Sequence, residues 1–487
     1  MPATTTSAIR RPTIEEQMKR TTLVAALLAV ATTASAQSPA RQAPPATLIT
    51  HATVLTVTKG TLTDTDVLLQ NGKIAAIGKN LTAPAGARTI DAAGEYLMPG
   101  IIDPHSHMMS DATNEGSLSV TSMVRIADVL NPTDDHIYDA LAGGTTTLNI
   151  LHGSANTIGG QNAVVKLKWG RPLSEMMFPG AMPGIKFALG ENVTQKTNSQ
   201  VIVVGQPRRQ PRYPSTRMGQ EEVLRDAFTR ARDYQAEWND YRAKVAKGEK
   251  NLVLPRRDLE LEPLVEVLEG KRYVHAHSYR ADEMLMLLDL ADEFGFKVKT
   301  LQHALEAYKI APEIAAHGTG VSTFADMWGY KIEAYDAIPY NVAVTMRAGV
   351  LSTINSDDDG RARRLNIDAA KLVRYGGLTD DEALSTITIN GAKQLGIDAK
   401  VGSIELGKDA DVVIWNGHPL SVYSRPVTTF IDGEIFFDRE QDMSMRKSLA
   451  EERKTLEAAE PNKLPKTGRG AGRGAAPVET PAQEDHR

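Results

Sequence analysis

The chain changes its hydrophobic rhythm twice. From Leu48 to Ile90 apolar and polar residues alternate around turn-forming pairs such as Lys59-Gly60 and Asn71-Gly72, the period-two pattern of half-buried strands. Gly402 to Phe437 returns to that pattern, with Asp432-Gly433 as a hairpin turn. Between these flanks, short β-branched apolar runs alternate with longer helical repeats, which predicts repeated βα units and a parallel barrel. The runs expected as barrel strands are Ile101–His107, Thr145–Leu151, Val164–Trp169, Ile185–Leu189, Arg272–His277, Val298–His303, Val321–Phe324 and Leu351–Asp357. Such a barrel carries its reactive groups at the C-terminal ends of its strands.

Polar residues recur at those ends. His105 and His107 close the first strand; at i, i+2 their side chains share a face, which makes half a chelate for a divalent metal. His152 follows the second strand and Lys186 lies in the fourth. His275 and His277 end the fifth, His303 the sixth and Asp357 the eighth. One strand-end histidine reads as an ordinary satisfied core residue; this many at one rim read as a metal site. The 487 residues include no cysteine, so any metal must be held by nitrogen and oxygen. A hydrophobic fraction of 41% supports a sizeable core, and a net charge of -5 gives no reason to invoke nucleic acid.

The termini read as outside the fold. Lys19-Arg20, the apolar stretch Leu23 to Ala31 and the small-residue pattern Ala34-Ser-Ala36 have the form of an export signal over residues 1–36, followed by a linker over 37–46. The apolar stretch is too short to span a bilayer, so a periplasmic or secreted protein without a membrane span is expected. Residues 441–487 read as a helix and then, from Pro461 through Gly468-Arg-Gly-Ala-Gly-Arg-Gly474, as a disordered tail.

With these pieces in place, the chain resembles the amidohydrolase superfamily, nearest to its imidazolonepropionase-like and prolidase-like branch. The resemblance rests on Met98-Pro-Gly-Ile-Ile-Asp-Pro-His-Ser-His107, on Gly143-Gly-Thr-Thr-Thr147, on the strand-end residues, and on two C-terminal runs. Those are Thr388-Ile-Asn-Gly-Ala-Lys-Gln-Leu-Gly396 and Gly402-Ser-Ile-Glu-Leu-Gly-Lys-Asp-Ala-Asp-Val412. The resemblance implies an α/β fold: a distorted TIM (β/α)8 barrel over 99–400, with a small β-sandwich built from the flanks 47–98 and 401–440. It also implies two divalent ions, one on His105, His107 and Asp357, the other on His275 and His303. Lys186, carboxylated by CO2, would bridge them. Zinc suits these ligands best, and manganese, cobalt and iron also fit. Some branches of the superfamily place a glutamate at the fourth strand, so Glu191 stands as the alternative bridge, although it falls after a glycine and outside the strand.

The expected chemistry is hydrolysis of an amide C–N bond by metal-activated water. Asp357 would take the water's proton and return it to the leaving nitrogen, and His152 or His277 would donate to the oxyanion. The long stretch between the fourth and fifth strands is expected to wall the substrate pocket. Tyr213, Arg217 and, after the fifth strand, Arg280 suit a substrate carboxylate, which points to a dipeptide (an Xaa-Pro type among them), an N-acyl amino acid or a cyclic amide. A homo-oligomer is left open. The rival readings are a deaminase on the same barrel and, further off, a non-catalytic binding protein.

Overall fold

The computed structural model describes residues 45–194 and 212–460. The expected export signal, most of the linker and the tail beyond residue 460 lie outside the described residues. The N-terminal flank forms β1 (Thr47–Leu55), β2 (Thr61–Gln70), β3 (Lys73–Gly78), β4 (Arg88–Asp91) and β5 (Tyr96–Pro99). The central region supplies β6 (Ile101–Ser106), β7 (Thr145–Ile150), β8 (Ile158–Gln161), β9 (Ala163–Lys166), β10 (Gly184–Ala188), β11 (Tyr273–Ser278), β12 (Val298–His303), β13 (Gly320–Thr323) and β14 (Ser352–Ile354). The C-terminal flank adds β15 (Val412–Trp415), β16 (Pro426–Ile431) and β17 (Glu434–Asp438).

The two flanks meet in one sheet, in the order β17-β16-β15-β5-β1-β2-β3 with β4 paired to β1. The join is the antiparallel β5–β15 pair, with Met98 opposite Val413. Hydrogen bonds link all of these strands into a single eight-stranded sheet. Both faces of its centre are buried. Leu97, Val412 and Ile414 pack with Ile49 and Val54, whereas the alternate residues Met98, Val413 and Trp415 pack with Ile354 and Leu365 of the central region. The pleat thus turns one face to the flank's own core and the other to the barrel strands and their helices.

The central strands form two arcs, β14-β13-β12-β11-β10-β8 and β6-β7-β9. Pairing is parallel along β6–β7 and from β10 to β14. The third expected strand, Val164–Trp169, is the exception: β9 runs antiparallel to β7, and β8 antiparallel to β10. Only Asn162 separates β8 from β9, so one bent strand joins the arcs. The cause is the length of the connection. A parallel return needs a crossover of a dozen residues or more, and residues 151–157 allow only a turn back. β14 and β6 share no strand pairing among the described residues. Their seam is held by the Asp357 N–H donating to His105 O at 3.1 Å and by Ser356 Oγ donating to Asp103 Oδ2 at 2.5 Å.

The insertion between β10 and β11 contains the helix Arg217–Ala246. Thr216 caps it by accepting from the Gly219 N–H, and it buries Val223, Leu224, Ala227, Phe228 and Ala231 at helical spacing. The helix Arg439–Ala459 follows β17. Among the described residues no helix is long and apolar enough to cross a membrane.

Candidate metal centre

β6 delivers His105 and His107 to the rim, and the loop after β14 delivers Asp357. One ligand atom from each of these three lies within 4.8 Å of the others. Asp357 Oδ1 stands 3.1 Å from His105 Nε2 and 3.2 Å from His107 Nε2, and Asp357 Oδ2 stands 3.7 Å from His303 Nε2. Lys186 Nζ approaches His105 Nε2 to 3.2 Å. Four of the residues that the sequence singles out therefore converge with Asp357 at one end of the strands.

The outer nitrogens decide the tautomers. His105 Nδ1 faces Gln302 Oε1 at 3.1 Å and His107 Nδ1 faces Leu151 O at 2.9 Å. Both partners accept only, so each Nδ1 carries the proton and each Nε2 turns a lone pair toward Asp357. Burial, reinforced by the charge of Lys186, lowers the His105 imidazole to about 4 and keeps it neutral, the form that binds a metal. Burial also opposes ionisation of Asp357, but His105 and His303 outweigh it and hold the carboxyl well below its usual range. His303 (φ 66°) and Asp357 (φ 48°) lie in the left-handed region, where side chains leave the direction set by the strand pleat. Nitrogen and carboxylate donors that are buried, neutral or anionic, and held in tautomer by outer partners fit a divalent ion.

On the fifth strand, Gln302 Nε2 lies 3.5 Å from His275 Nδ1, so one amide stands between His105 and His275. His277 sits nearer the end of β11. Its Nδ1 is 2.9 Å from Ser154 Oγ, its ring centroid is 4.6 Å from that of His303, and its Nε2 is buried without a hydrogen-bond partner. The fifth strand thus brings two histidines to the site, His275 beside Gln302 and His277 beside His303.

Other expected site residues are committed elsewhere. His152 accepts the Glu115 N–H at Nε2 (2.9 Å) and meets Gly153 O through Nδ1 (2.8 Å), so it staples two loops and has no donor left for an oxyanion. Glu191 pairs with Lys331, its carboxylate oxygen 3.6 Å from the ammonium. Arg217 bonds both Glu283 and Glu333, and Arg280 bonds Asp282. Tyr213 is 56% exposed. The arginines that suited a substrate carboxylate are thus neutralised by neighbouring acids. Sequence reasoning missed Gln302, Ser154, Tyr279 and the clamp residue Asp103. Asp103 lies two positions before His105, a spacing that puts it on the same face of β6, and this is the one signal that would have found it.

The amidohydrolase family model matches residues 340–444. The crystal structure of an amidohydrolase from Thermotoga maritima is 33% identical, covering 81% of this chain and all of that one, with a TM-score of 0.73. Amidohydrolase tasK of Hapsidospora irregularis is 34% identical over 403 residues, which are 77% of this chain and 40% of that relative's length. The imidazolonepropionase of Thermoplasma volcanium is 22% identical over 408 residues, 78% of this chain and 92% of that one. The chain has the TIM-barrel type of α/β fold and belongs to the amidohydrolase family, hydrolases that act on carbon–nitrogen bonds.

Proposed function

We propose that the protein is a two-metal hydrolase that cleaves the amide C–N bond of a small carboxylate-bearing substrate: a dipeptide, an N-acyl amino acid or a cyclic amide. The observation that carries this reading is the convergence of His105, His107 and Asp357, with both Nδ1 atoms held by outer acceptors. His105, His107 and Asp357 would hold one ion, His277 and His303 the other, and Lys186 as its carbamate would join them. Two bound divalent ions, zinc in first place, supply an ionised water and polarise the scissile carbonyl. Asp357 takes the water's proton and passes it to the leaving nitrogen, which its position between His105, His107 and His303 suits. Ser154, through His277 Nδ1, fixes the ring that faces His303. The imidazolonepropionase among the relatives supports a cyclic amide as one member of the substrate class.

The test uses the purified protein reconstituted with zinc. It is expected to hold two ions per chain and to hydrolyse members of a panel of dipeptides, N-acyl amino acids and lactams. His105→Ala should remove activity and bound metal together. Asp357→Asn should lower kcat at least about a hundredfold while part of the metal remains. Full metal occupancy in a His105→Ala, His277→Ala double variant would overturn the assignment.

A further inference from the structure

His105 and His107 are aimed by hydrogen bonds to acceptors and His277 is bonded to Ser154, while His303 leaves its strand at φ 66° and lies among stacked rings. Phe324 stacks on it with centroids 4.9 Å apart at 25°, and Tyr279 with centroids 5.4 Å apart at 13°. The same Tyr279 meets His277 edge-on, with centroids 4.7 Å apart. Tyr279 is buried and touches both rings, so a single side chain packs against the two histidines together.

Tyr279 is clamped in turn. Lys331 Nζ lies 4.2 Å over its ring centroid, and the Tyr330 hydroxyl donates to the Tyr279 hydroxyl at 2.8 Å. Lys331 stands 3.6 Å from Glu191, which follows β10, and 3.7 Å from Glu333, two residues on in its own loop, so the ammonium is anchored by acids on both sides. We infer that Tyr279 is a positioning residue that aims His277 and His303 at one metal ion, and that Lys331 clamps it through its ring face. The inference rests on the two-ion reading proposed above. An imidazole that rotates away from its ligating direction loses affinity for the metal without any change of donor atoms, as when outer partners of ligands are removed elsewhere.

The experiment counts ions. Wild type, Tyr279→Leu, Tyr279→Phe, Lys331→Met and Lys331→Arg are stripped, reloaded with zinc and titrated with a competing chelator, with circular dichroism to check folding. Wild type and Tyr279→Phe should hold two ions, since phenylalanine keeps the stacking ring. Tyr279→Leu should hold one. Lys331→Met should hold its weaker ion about tenfold less tightly, and Lys331→Arg should restore the affinity. A folded Tyr279→Leu protein that keeps both ions at wild-type affinity, or loses both, overturns the inference. If Tyr279→Leu does not fold, Lys331→Met decides: an unchanged second ion overturns the inference. A wild type that binds fewer than two ions overturns the two-ion reading itself, before any variant is considered.

Discussion

At the scale of single residues, the buried nitrogen of Lys186 is the most informative group. Its Nζ lies 3.2 Å from His105 Nε2 and 3.4 Å from His152 O, and the side chain is fully buried. A lone ammonium there would repel dications, whereas a carbamate presents two anionic oxygens and removes the charge conflict. Glu191 pairs instead with Lys331, which supports the proposal that Lys186 is the bridge. Added bicarbonate should therefore raise zinc uptake by the metal-free protein. Lys186→Ala should release bound metal, and Glu191→Ala should keep it, both read by elemental analysis. The reverse pattern would move the bridge to Glu191. Strand ends marked His105, His107, His303 and Asp357 as candidates, and the family resemblance added their grouping and the role of Lys186. The choice between His275 and His277 was not legible, because i, i+2 neighbours share a face and only Gln302 and Ser154 tell them apart.

At the scale of elements, one lysine fastens the barrel arc to the flanking sheet. Lys166 of β9 is buried, and its Nζ meets Asp409 at 2.7 Å, Asp411 at 3.0 Å and Asp432 at 2.5 Å. Burial opposes its charge, but Asp411, Asp432 and Asp409 outweigh that cost and raise its pKa. These aspartates belong to the C-terminal runs Gly402–Val412 and Asp432-Gly433, so the pattern that reads as a superfamily signature is a structural socket for β9. Lys166→Met leaves three carboxylates without their cation and should destabilise the fold by about 3–5 kcal/mol, measured by denaturant unfolding. A loss below about 1 kcal/mol would mean that the aspartates are satisfied without it. The reversed third strand was not legible from hydrophobicity, since a buried run looks alike in either direction; the short 151–157 connection carries that information.

At the scale of the molecule, the insertion is tied to the rim by ions rather than by ligands. Arg217, at the start of the Arg217–Ala246 helix, bonds Glu283 just after β11 and Glu333 on the loop after β13. Because Arg217 is shared, burial wins at Glu283 and raises its carboxyl from 4.5 to about 7, with Arg217 only partly opposing the rise. The folded chain then binds more protons than the unfolded one between these values, so unfolding free energy should fall as pH rises from about 4.5 to 7. Glu283→Gln should flatten that fall in denaturant titrations across the same range. An equally steep fall in the variant would assign the proton to another group.

The sequence by itself determined the βα repeat, the flanking strands, the absence of thiolate ligands and the set of strand ends from which ligands come. Each of these is a matter of local periodicity or composition, which a chain carries before it folds. Only the tertiary structure decided that the flanks form one sheet, that the third strand runs backward, that His277 rather than His275 faces His303, and that Arg217 and Arg280 are spent on acids. Those outcomes depend on which groups meet across long stretches of chain. A residue's partner, unlike its type and spacing, is fixed by the packing of the whole molecule.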